Sequence, residues 1–337
     1  MGNGLTAHYY FLDFEAYISL RKGKKMQIGM SLTSSYSIER DPKAVMDGLT
    51  EQVKAMSNLG FASLSLGDHH VTRNNYLQVL PTMSHLSAFT GDMRLIPLFL
   101  LPFYNPILLA EQLAMLDVIS GGKTAVISGL GHQPEAHDAF ETPQRLRVSR
   151  FEETFEIMRR LWTDDDVSFS GKHYNFSGVS VNPKPLQQSM PMWIGANADP
   201  AVRRAARIAD AWVISPGWTP DYIDERLQFY RAALDEFGRG GQVQDLVVRR
   251  DLHLAPTRDE ALRDAEVLFE RGYRGFGDRE MQESLIVGDA DTCITALSRL
   301  QSKGATHILF RCALDETEQA MQTIRILGEQ VIPHFSG

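Results

Sequence analysis

The sequence alternates between strand-like and helix-like segments eight times. The strand-like segments are short apolar runs, and several helix-like segments begin with a capping pair such as Asp41-Pro42 or Asn105-Pro106. Alternation of this kind places parallel strands in one sheet, with helices crossing over it. Eight such units predict a closed (β/α)8 barrel, the TIM barrel, with strands at 27–32, 62–67, 94–101, 124–130, 192–196, 211–215, 246–254 and 306–312.

Two stretches interrupt the alternation. Residues 163–189 are rich in Asp, Ser, Gly, Asn and Pro, and two short apolar runs flanking Ser170-Gly171-Lys172 predict a hairpin outside the main sheet. Residues 272–288 contain three closely spaced glycines and are predicted to be irregular. Because no change in composition marks a second domain, we expect residues 26–337 to form one barrel with these two insertions at its mouth.

Residues 1–25 differ from the rest of the chain. They end in Arg-Lys-Gly-Lys-Lys, immediately before Met26. This basic cluster follows the apolar part instead of preceding it, which is unlike a secretory signal. We expect Met26 to be the natural start and residues 1–25 to be a non-native or disordered extension. An ordered N-terminal arm is the alternative.

Charge and cysteine content exclude several classes of partner. The formal net charge is −8, which argues against a nucleic-acid backbone or an anionic membrane as partner. The two cysteines, Cys293 and Cys312, have no metal-ligand spacing and indicate a reducing, cytoplasmic environment. No apolar run approaches the roughly 20 residues that a membrane span requires.

The segment Ser-Leu-Ser-Leu-Gly-Asp-His-His, residues 63–70, brings three titratable groups to the end of a predicted buried strand. In an α/β barrel, functional residues follow the C-terminal ends of the strands. Imidazole exchanges a proton near neutral pH. Adjacent residues on an extended chain point in opposite directions, so one histidine is predicted to face the barrel mouth. A structural, hydrogen-bonded histidine is the alternative.

A metal site is a second interpretation of the same region. Asp68, His69, His132 and His137 could be gathered from two strand ends. His132 and His137 are five residues apart, however, whereas two ligands on one helix face are four apart. We therefore expect no metal.

Two glycine-containing loops favour an anionic ligand. Ser128-Gly-Leu-Gly131 would let a ligand approach the backbone closely, although a tight turn explains it equally well. Gly195-Ala-Asn-Ala-Asp-Pro200 leads into a helix whose first amides suit a phosphate, provided that Asp199 does not repel it. Arg150 and Arg203 are possible compensating cations. The spacing of a dinucleotide-binding fingerprint is absent.

These segments together resemble the bacterial luciferase-like family of flavin-dependent monooxygenases, from Met26 to Phe335. The order and spacing of the matching segments are specific, although no single one is decisive. They are Leu66-Gly-Asp-His-His70, Asn105-Pro106, Leu116-Asp-Val-Ile-Ser-Gly-Gly-Lys123, Gly129-Leu-Gly131, Arg150-Phe-Glu-Glu153, Leu161-Trp162, Pro191-Met-Trp-Ile-Gly195, Ala209-Asp-Ala-Trp212 and Val287-Gly288.

The resemblance implies a (β/α)8 fold and a set of site residues. His69 inherits the catalytic role of the first family histidine, His70 is structural, and Asp68, which replaces a family glutamate, orients its neighbours. The flavin ring would lie against the third strand at Pro97-Leu98, where the family often has a cis peptide. The remaining cofactor-binding residues implied are Gly129, Leu130, Gly131, Arg150, Ala196, Asn197, Ala198 and Ser215.

Besides Asp68, the chain departs from the family pattern at three places. Leu130 stands where luciferase has a phosphate-binding arginine, and Ala196-Asn197 stand where it has a Glu-Ser pair. Phosphate binding would therefore rely on backbone amides. Residues 272–288 are shorter than the mobile loop of luciferase, so light emission on aldehydes is not expected.

The function implied is a two-component monooxygenase that uses reduced FMN, supplied by a separate reductase, and O2. The substrate is expected to be a small apolar organic molecule, because aromatic residues lie near predicted strand ends (Phe99, Phe103, Tyr104 and Trp218). The resemblance also suggests a homodimer. Two alternatives remain: a deazaflavin-dependent hydride-transfer enzyme of the same superfamily, and a non-catalytic flavin-binding protein.

Overall fold

Eight parallel strands close into a barrel in the computed structural model, which describes residues 25–240 and 245–336. Five further strands lie outside the barrel. In chain order the strands are β1 (Gln27–Leu32), β2 (Ser35–Tyr36), β3 (Ser63–Leu66), β4 (Asn75–Tyr76), β5 (Arg94–Leu100), β6 (Val126–Gly129), β7 (Val167–Ser170), β8 (Asn175–Val179), β9 (Met192–Gly195), β10 (Ala211–Ile214), β11 (Asp245–Leu254), β12 (Ile286–Gly288) and β13 (His307–Cys312).

The barrel strands pair in chain order as β1, β3, β5, β6, β9, β10, β11 and β13, and β13 pairs with β1 to close the ring. All eight predicted barrel strands are confirmed. The surrounding helices are α1 (Pro42–Asn58), α2 (Val79–Leu86), α3 (Pro106–Ile119), α4 (Pro134–Ala139), α5 (Arg147–Thr163), α6 (Asp199–Ile208), α7 (Pro220–Glu236), α8 (Arg258–Asp264), α9 (Glu266–Arg271), α10 (Asp278–Glu283), α11 (Ala290–Ser302), α12 (Thr317–Ile326) and α13 (Ile332–Ser336).

Alternating side chains separate the barrel interior from the layer under the helices. Trp193 on β9 points inward, whereas Trp212 on the neighbouring β10 packs under the helices, and both are fully buried. The inward-facing residues form an apolar plug that consists of Ile96, Leu98, Ala125, Ile127, Trp193, Ala211, Val213, Val247 and Leu309. This plug is the floor of the barrel mouth.

The insertions differ in how well they were predicted. The hairpin is confirmed as β7 and β8, which pair antiparallel. The prediction that residues 272–288 are irregular is wrong in part, because they contain α10 and β12. β11 is ten residues long and extends past its barrel neighbours, and its last residues offer the edge to which β12 pairs.

The prediction for residues 1–25 lies outside the described residues, apart from Lys25. Among the helices of the described part, none is long and apolar enough to cross a membrane.

His307 is buried at the end of the barrel opposite the mouth. Its Nε2 lies 2.7 Å from Ser63 Oγ, and its ring makes an edge contact with Trp193. Burial lowers the pKa of His307 to about 4. The folded protein therefore keeps a neutral imidazole there, while the unfolded chain takes up a proton below about pH 6.5.

This difference predicts an acid-dependent loss of stability. The unfolded state binds the extra proton first as the pH falls, so the free energy of unfolding should drop by about 3 kcal/mol between pH 6.5 and 4. His307→Gln should flatten this slope in urea titrations at several pH values, and the exposed His334→Gln should not. An unchanged slope in His307→Gln would contradict the assignment.

Candidate active site

His69 occupies the inward-facing position after β3, in the alternation that runs from Ser63 through Gly67. Its ring is partly buried and lies 5.4 Å from the ring of Tyr76, centroid to centroid. Burial lowers the pKa of His69, and the nearby His132 lowers it further. The side chain is therefore neutral at pH 7 and can either donate or accept a proton at the mouth.

Asp68 and His70 point the other way and join the ends of two strands. The Oδ2 atom of Asp68 accepts hydrogen bonds from the Leu100 amide at 3.1 Å and the Tyr104 hydroxyl at 2.9 Å. His70 Nε2 lies 3.1–3.2 Å from the carboxylate oxygens and 3.1 Å from the Tyr104 oxygen. Burial and this carboxylate raise the pKa of Tyr104, which keeps its hydroxyl protonated as a donor. These contacts hold the β3 end against the β5 end.

Small residues form one wall of the mouth. Gly129 and Gly195 are the inward-facing residues at the ends of β6 and β9. A Cβ atom on Gly195 would have the Ile127 side chain, 4.0 Å away, as its nearest neighbour, whereas one on Gly129 would lie 3.1 Å from Leu100. The packing of the protein thus does not require a glycine at 195. The inward-facing Leu98 and Ser215 complete a set that we call the glycine wall: Leu98, Gly129, Gly195 and Ser215.

The start of α6 adjoins this wall. Its N-cap residue is Ala198, which provides no side-chain acceptor for the first amides. Asp199 is the first helical residue and not the cap, and its carboxylate pairs with Arg226 at 2.7 Å. Asn197 is exposed, and its side-chain nitrogen lies 3.5 Å from Ser215 Oγ. Of the first three residues of α6, Asp199 offers its amide to an anion, because Pro200 has no N–H and the Ala201 amide donates to the Ala198 carbonyl oxygen at 2.9 Å.

Of the two candidate cations, Arg150 lies beside the β5 end, and the other is engaged elsewhere. Arg150 donates to the Tyr174 hydroxyl at 3.2 Å and to the Pro102 carbonyl oxygen at 3.4 Å, and its guanidinium lies over the Tyr174 ring. Within residues 25–240 and 245–336 it has no carboxylate partner. Arg203 instead pairs with Glu236 on the surface.

The structure corrects the expectation for Pro97-Leu98. Leu98 faces the barrel interior, but Pro97 lies on the opposite face of β5, between Ile96 and Leu98, which contact the plug. The peptide bond between Pro97 and Leu98 is trans; the cis peptide bond in the described chain is Asn182-Pro183. Strand alternation explains why two adjacent residues cannot both face a ring in the mouth.

The four aromatic residues that suggested an apolar substrate also point elsewhere. Phe99 is buried on the helix side of β5, and Tyr104 is directed to Asp68. The other two pack against neighbouring rings: Phe103 against His137 and Phe140, and Trp218 against Trp212 and Tyr222. They give no support to an apolar substrate.

A charged wall, which sequence reasoning missed, lies across the mouth from Leu98 and Gly129 and adjoins Ser215, because β11 pairs with β10. Arg249 and Asp251 on β11 and Arg311 on β13 continue the inward-facing positions of Val247 and Leu309. Asp251 is 1% exposed and accepts hydrogen bonds from Tyr273 at 3.0 Å and Arg274 at 2.6 Å. The signal in the sequence was Arg-Arg-Asp in the middle of an otherwise apolar strand.

In the described part of the chain, no group of three or more His, Cys, Asp or Glu side chains is arranged to hold a metal. Of the residues weighed as ligands, Asp68 is engaged by Leu100, Tyr104 and His70. His137 is buried with its Nδ1 2.8 Å from the Thr142 carbonyl oxygen.

Comparisons with known proteins agree with this barrel. Residues 26–307 match the family model described as luciferase-like monooxygenase. The F420-dependent glucose-6-phosphate dehydrogenase of Microbacterium testaceum is 25% identical over 82% of this chain and 90% of its own length. The monooxygenase RslO1 from Streptomyces bottropensis superposes with a TM-score of 0.81 at 24% identity, over 92% of this chain and all of its own. The FMN complex of the oxygenating constituent of 3,6-diketocamphane monooxygenase from Pseudomonas putida superposes with a TM-score of 0.76 at 18% identity, over 92% of this chain and 98% of its own.

Proposed function

The chain belongs to the luciferase-like monooxygenase family, and we propose that it uses reduced FMN and O2 to oxygenate a small organic substrate. The family includes FMN-dependent monooxygenases and F420-dependent oxidoreductases, and both groups are oxidoreductases. The choice of FMN is our proposal, and it draws on the monooxygenase names of the two structural neighbours.

The observation that carries the proposal is the open space over Gly195. A Cβ atom there would meet no protein atom closer than 4.0 Å, which fits a planar ring lying against the backbone. The glycine wall would hold the ring. Gly131, Arg150, Asn197 and the Asp199 amide at the start of α6 would hold the phosphate.

The protein contributes to the reaction through His69 at the mouth and through the apolar plug beneath it. Bound reduced FMN supplies the electrons for O2, which no side chain here can do. His69, neutral at pH 7, donates or accepts a proton at the mouth. The apolar plug beneath keeps water from the floor of the site. Because the sequence lacks a dinucleotide fingerprint, a separate reductase would supply the reduced FMN.

A second candidate is hydride transfer with a deazaflavin and no O2. The similarity to F420-dependent glucose-6-phosphate dehydrogenase over 82% of this chain favours it. The same glycine wall would hold the deazaflavin ring. Binding of FMN or of F420 separates the two candidates.

The homodimer suggested by the resemblance also has a candidate surface. Helix α3 buries Leu109 and Leu113 on one side, yet Leu108, Met115 and Ile119 are each about half exposed on the other. A helix that is apolar on all sides is usually buried. We therefore propose that a second copy covers this face. Light scattering should give the mass of a dimer, and a monomeric mass would contradict it.

His69 provides the functional test. Protein loaded with reduced FMN is mixed with O2 in a stopped-flow instrument, and the return of oxidised-flavin absorbance is followed. We expect the bound flavin to oxidise more slowly than free flavin. His69→Ala should accelerate this about tenfold, because one hydrogen bond of about 1.4 kcal/mol is lost at the mouth.

The control for this test is His85→Ala, since His85 lies on α2 and contacts Thr50, away from the mouth. The flavin bound to His85→Ala should be oxidised at the same rate as in the wild type. Because the pKa of His69 is lowered, the difference between wild type and His69→Ala should stay constant above pH 6.5. Oxidation of bound flavin at the rate of free flavin would refute the proposal.

A further inference from the structure

The charged wall places two arginines on neighbouring strands above the apolar plug, as diagonal neighbours. Arg249 lies next to Leu309 in the register of β11 and β13, and Arg311 lies next to Asp251. Both arginines continue inward-facing positions, so both guanidinium groups project into the mouth. Neither arginine belongs to the glycine wall, which extends over β5, β6, β9 and β10 and meets the charged wall where β10 pairs with β11.

The positive charge on this wall exceeds the negative charge. Arg274 and Tyr273 both donate to Asp251 Oδ2, while the buried Oδ1 has no hydrogen-bond partner among the described residues. Arg311 uses its Nε to donate to Thr33 Oγ1 at 3.1 Å. Among the described residues, the guanidinium of Arg249 has neither a hydrogen-bond acceptor nor an ion-pair partner. Three guanidinium groups thus share one carboxylate.

The burial of Arg249 makes this excess of positive charge unfavourable in free energy. Burial lowers the pKa of Arg249, and the neighbouring Arg274 and Arg311 lower it further, while Asp251 compensates only in part. Asp68, an acidic group at the end of β3, points away from the interior. A cation removed from water without a partner is strongly unfavourable, so this wall is suited to an anion from outside the chain.

We propose that Arg249 and Arg311 bind the acidic group of an organic anion, a carboxylate or a sulfonate, and that this anion is the substrate of the proposed oxygenation. The identification of this anion as the substrate rests on the proposed function. Guanidinium groups match planar and tetrahedral oxyanions with paired hydrogen bonds.

The position of the arginines also fits a substrate. Tyr76 connects the two parts of the mouth: its ring contacts His69, and its hydroxyl is within electrostatic range of Arg249 and Arg311. An anion held by the two arginines would therefore extend its organic part past Tyr76 toward His69 and the glycine wall. The floor beneath it, formed by the apolar plug, suits a short hydrocarbon chain.

The test uses three probes of equal chain length: hexanoate, hexane-1-sulfonate and hexanamide. Their affinities for the wild-type protein are measured by titration calorimetry at constant ionic strength. We expect at least one of the two anions to bind about 30-fold more tightly than the neutral amide, a difference of about 2 kcal/mol for a charge-assisted pair. The comparison of carboxylate with sulfonate tells which acid group is preferred.

The variants are Arg249→Gln, Arg311→Gln and their combination. Each single variant should lose about tenfold in anion affinity, and the double variant should bind the anions no better than hexanamide. The matched control is Arg299→Gln on the surface of α11, where the arginine pairs with Asp221. Arg249→Gln removes an unpaired cation, so its thermal midpoint should not fall below that of the wild type.

Equal affinity for anions and amide, no binding of any probe up to about 10 mM, or an anion preference retained by the double variant would each overturn the inference. A loss of FMN affinity in the double variant as large as the loss of anion affinity would also overturn it, because the arginines would then serve the cofactor. If the wild type fails to bind FMN but prefers the anions, the proposed function fails and the anion site stands.

Discussion

Replacing Gly195 with leucine should weaken cofactor binding about 100-fold and leave the fold intact. A side chain at this position would occupy the space in which we place the ring, and about 2.8 kcal/mol of binding free energy would be lost. No protein atom lies closer than 4.0 Å to the point that a Cβ atom would occupy, so the protein itself should accommodate the first carbon without strain. Titration of FMN, followed by quenching of its fluorescence, measures the effect.

A graded series sharpens this prediction. Gly195→Ala adds one methyl group and should cost about tenfold in affinity, between the wild type and Gly195→Leu. Thermal midpoints should be equal or slightly raised, since glycine in a strand carries an entropic cost. If Gly195→Leu binds FMN as tightly as the wild type, the glycine wall does not hold the cofactor.

Asp117→Ala should lower the free energy of unfolding by about 3–5 kcal/mol. Asp117 is fully buried at the end of α3 and accepts three hydrogen bonds: from the Thr124 amide, and from the amide and side chain of Gln187. Removing the carboxylate leaves these donors unpaired in the interior. Because the bonds join α3, the start of β6 and the insertion before β9, urea unfolding should detect the loss directly.

Asp92 supplies the control for Asp117. It lies at the same end of the barrel and pairs with Lys123 at 2.6 Å, but its side chain is fully exposed. Exposed ion pairs contribute little, so Asp92→Ala should leave the urea midpoint unchanged. If Asp117→Ala unfolds at the same urea concentration as Asp92→Ala, the buried hydrogen-bond network does not stabilise the barrel as described.

The barrel was predictable because its elements depend on local signals. Asp41, of the predicted capping pair Asp41-Pro42, accepts hydrogen bonds from the first amides of α1, and Thr257 and Glu260 form a capping box at the start of α8. The buried positions of α1 follow the helical period read from the sequence. The order within residues 272–288 was not predictable, because β12 forms only where the long strand β11 offers an edge.

The candidate site was predictable only in part, because some of its residues are brought together by pairing between segments that are distant in sequence. Strand alternation was sufficient to place His69 and His70 on opposite sides. The charged wall depends on which strands become neighbours. Arg249 and Arg311 are far apart in sequence, and the register of β11 and β13 makes them diagonal neighbours. Likewise, the contact of Arg150 with Tyr174 comes from the insertion, whose position the sequence pattern does not specify.

The wild-type arm of the Gly195 titration tests the central claim most directly, namely that the mouth of this barrel binds a flavin-type cofactor. FMN and F420 are titrated in parallel into the unmodified protein. Saturable binding of FMN with one site per chain, and a dissociation constant below about 100 μM, is the predicted result. Saturation by F420 alone would replace oxygenation with hydride transfer, and the absence of binding by either cofactor up to about 1 mM would contradict the account.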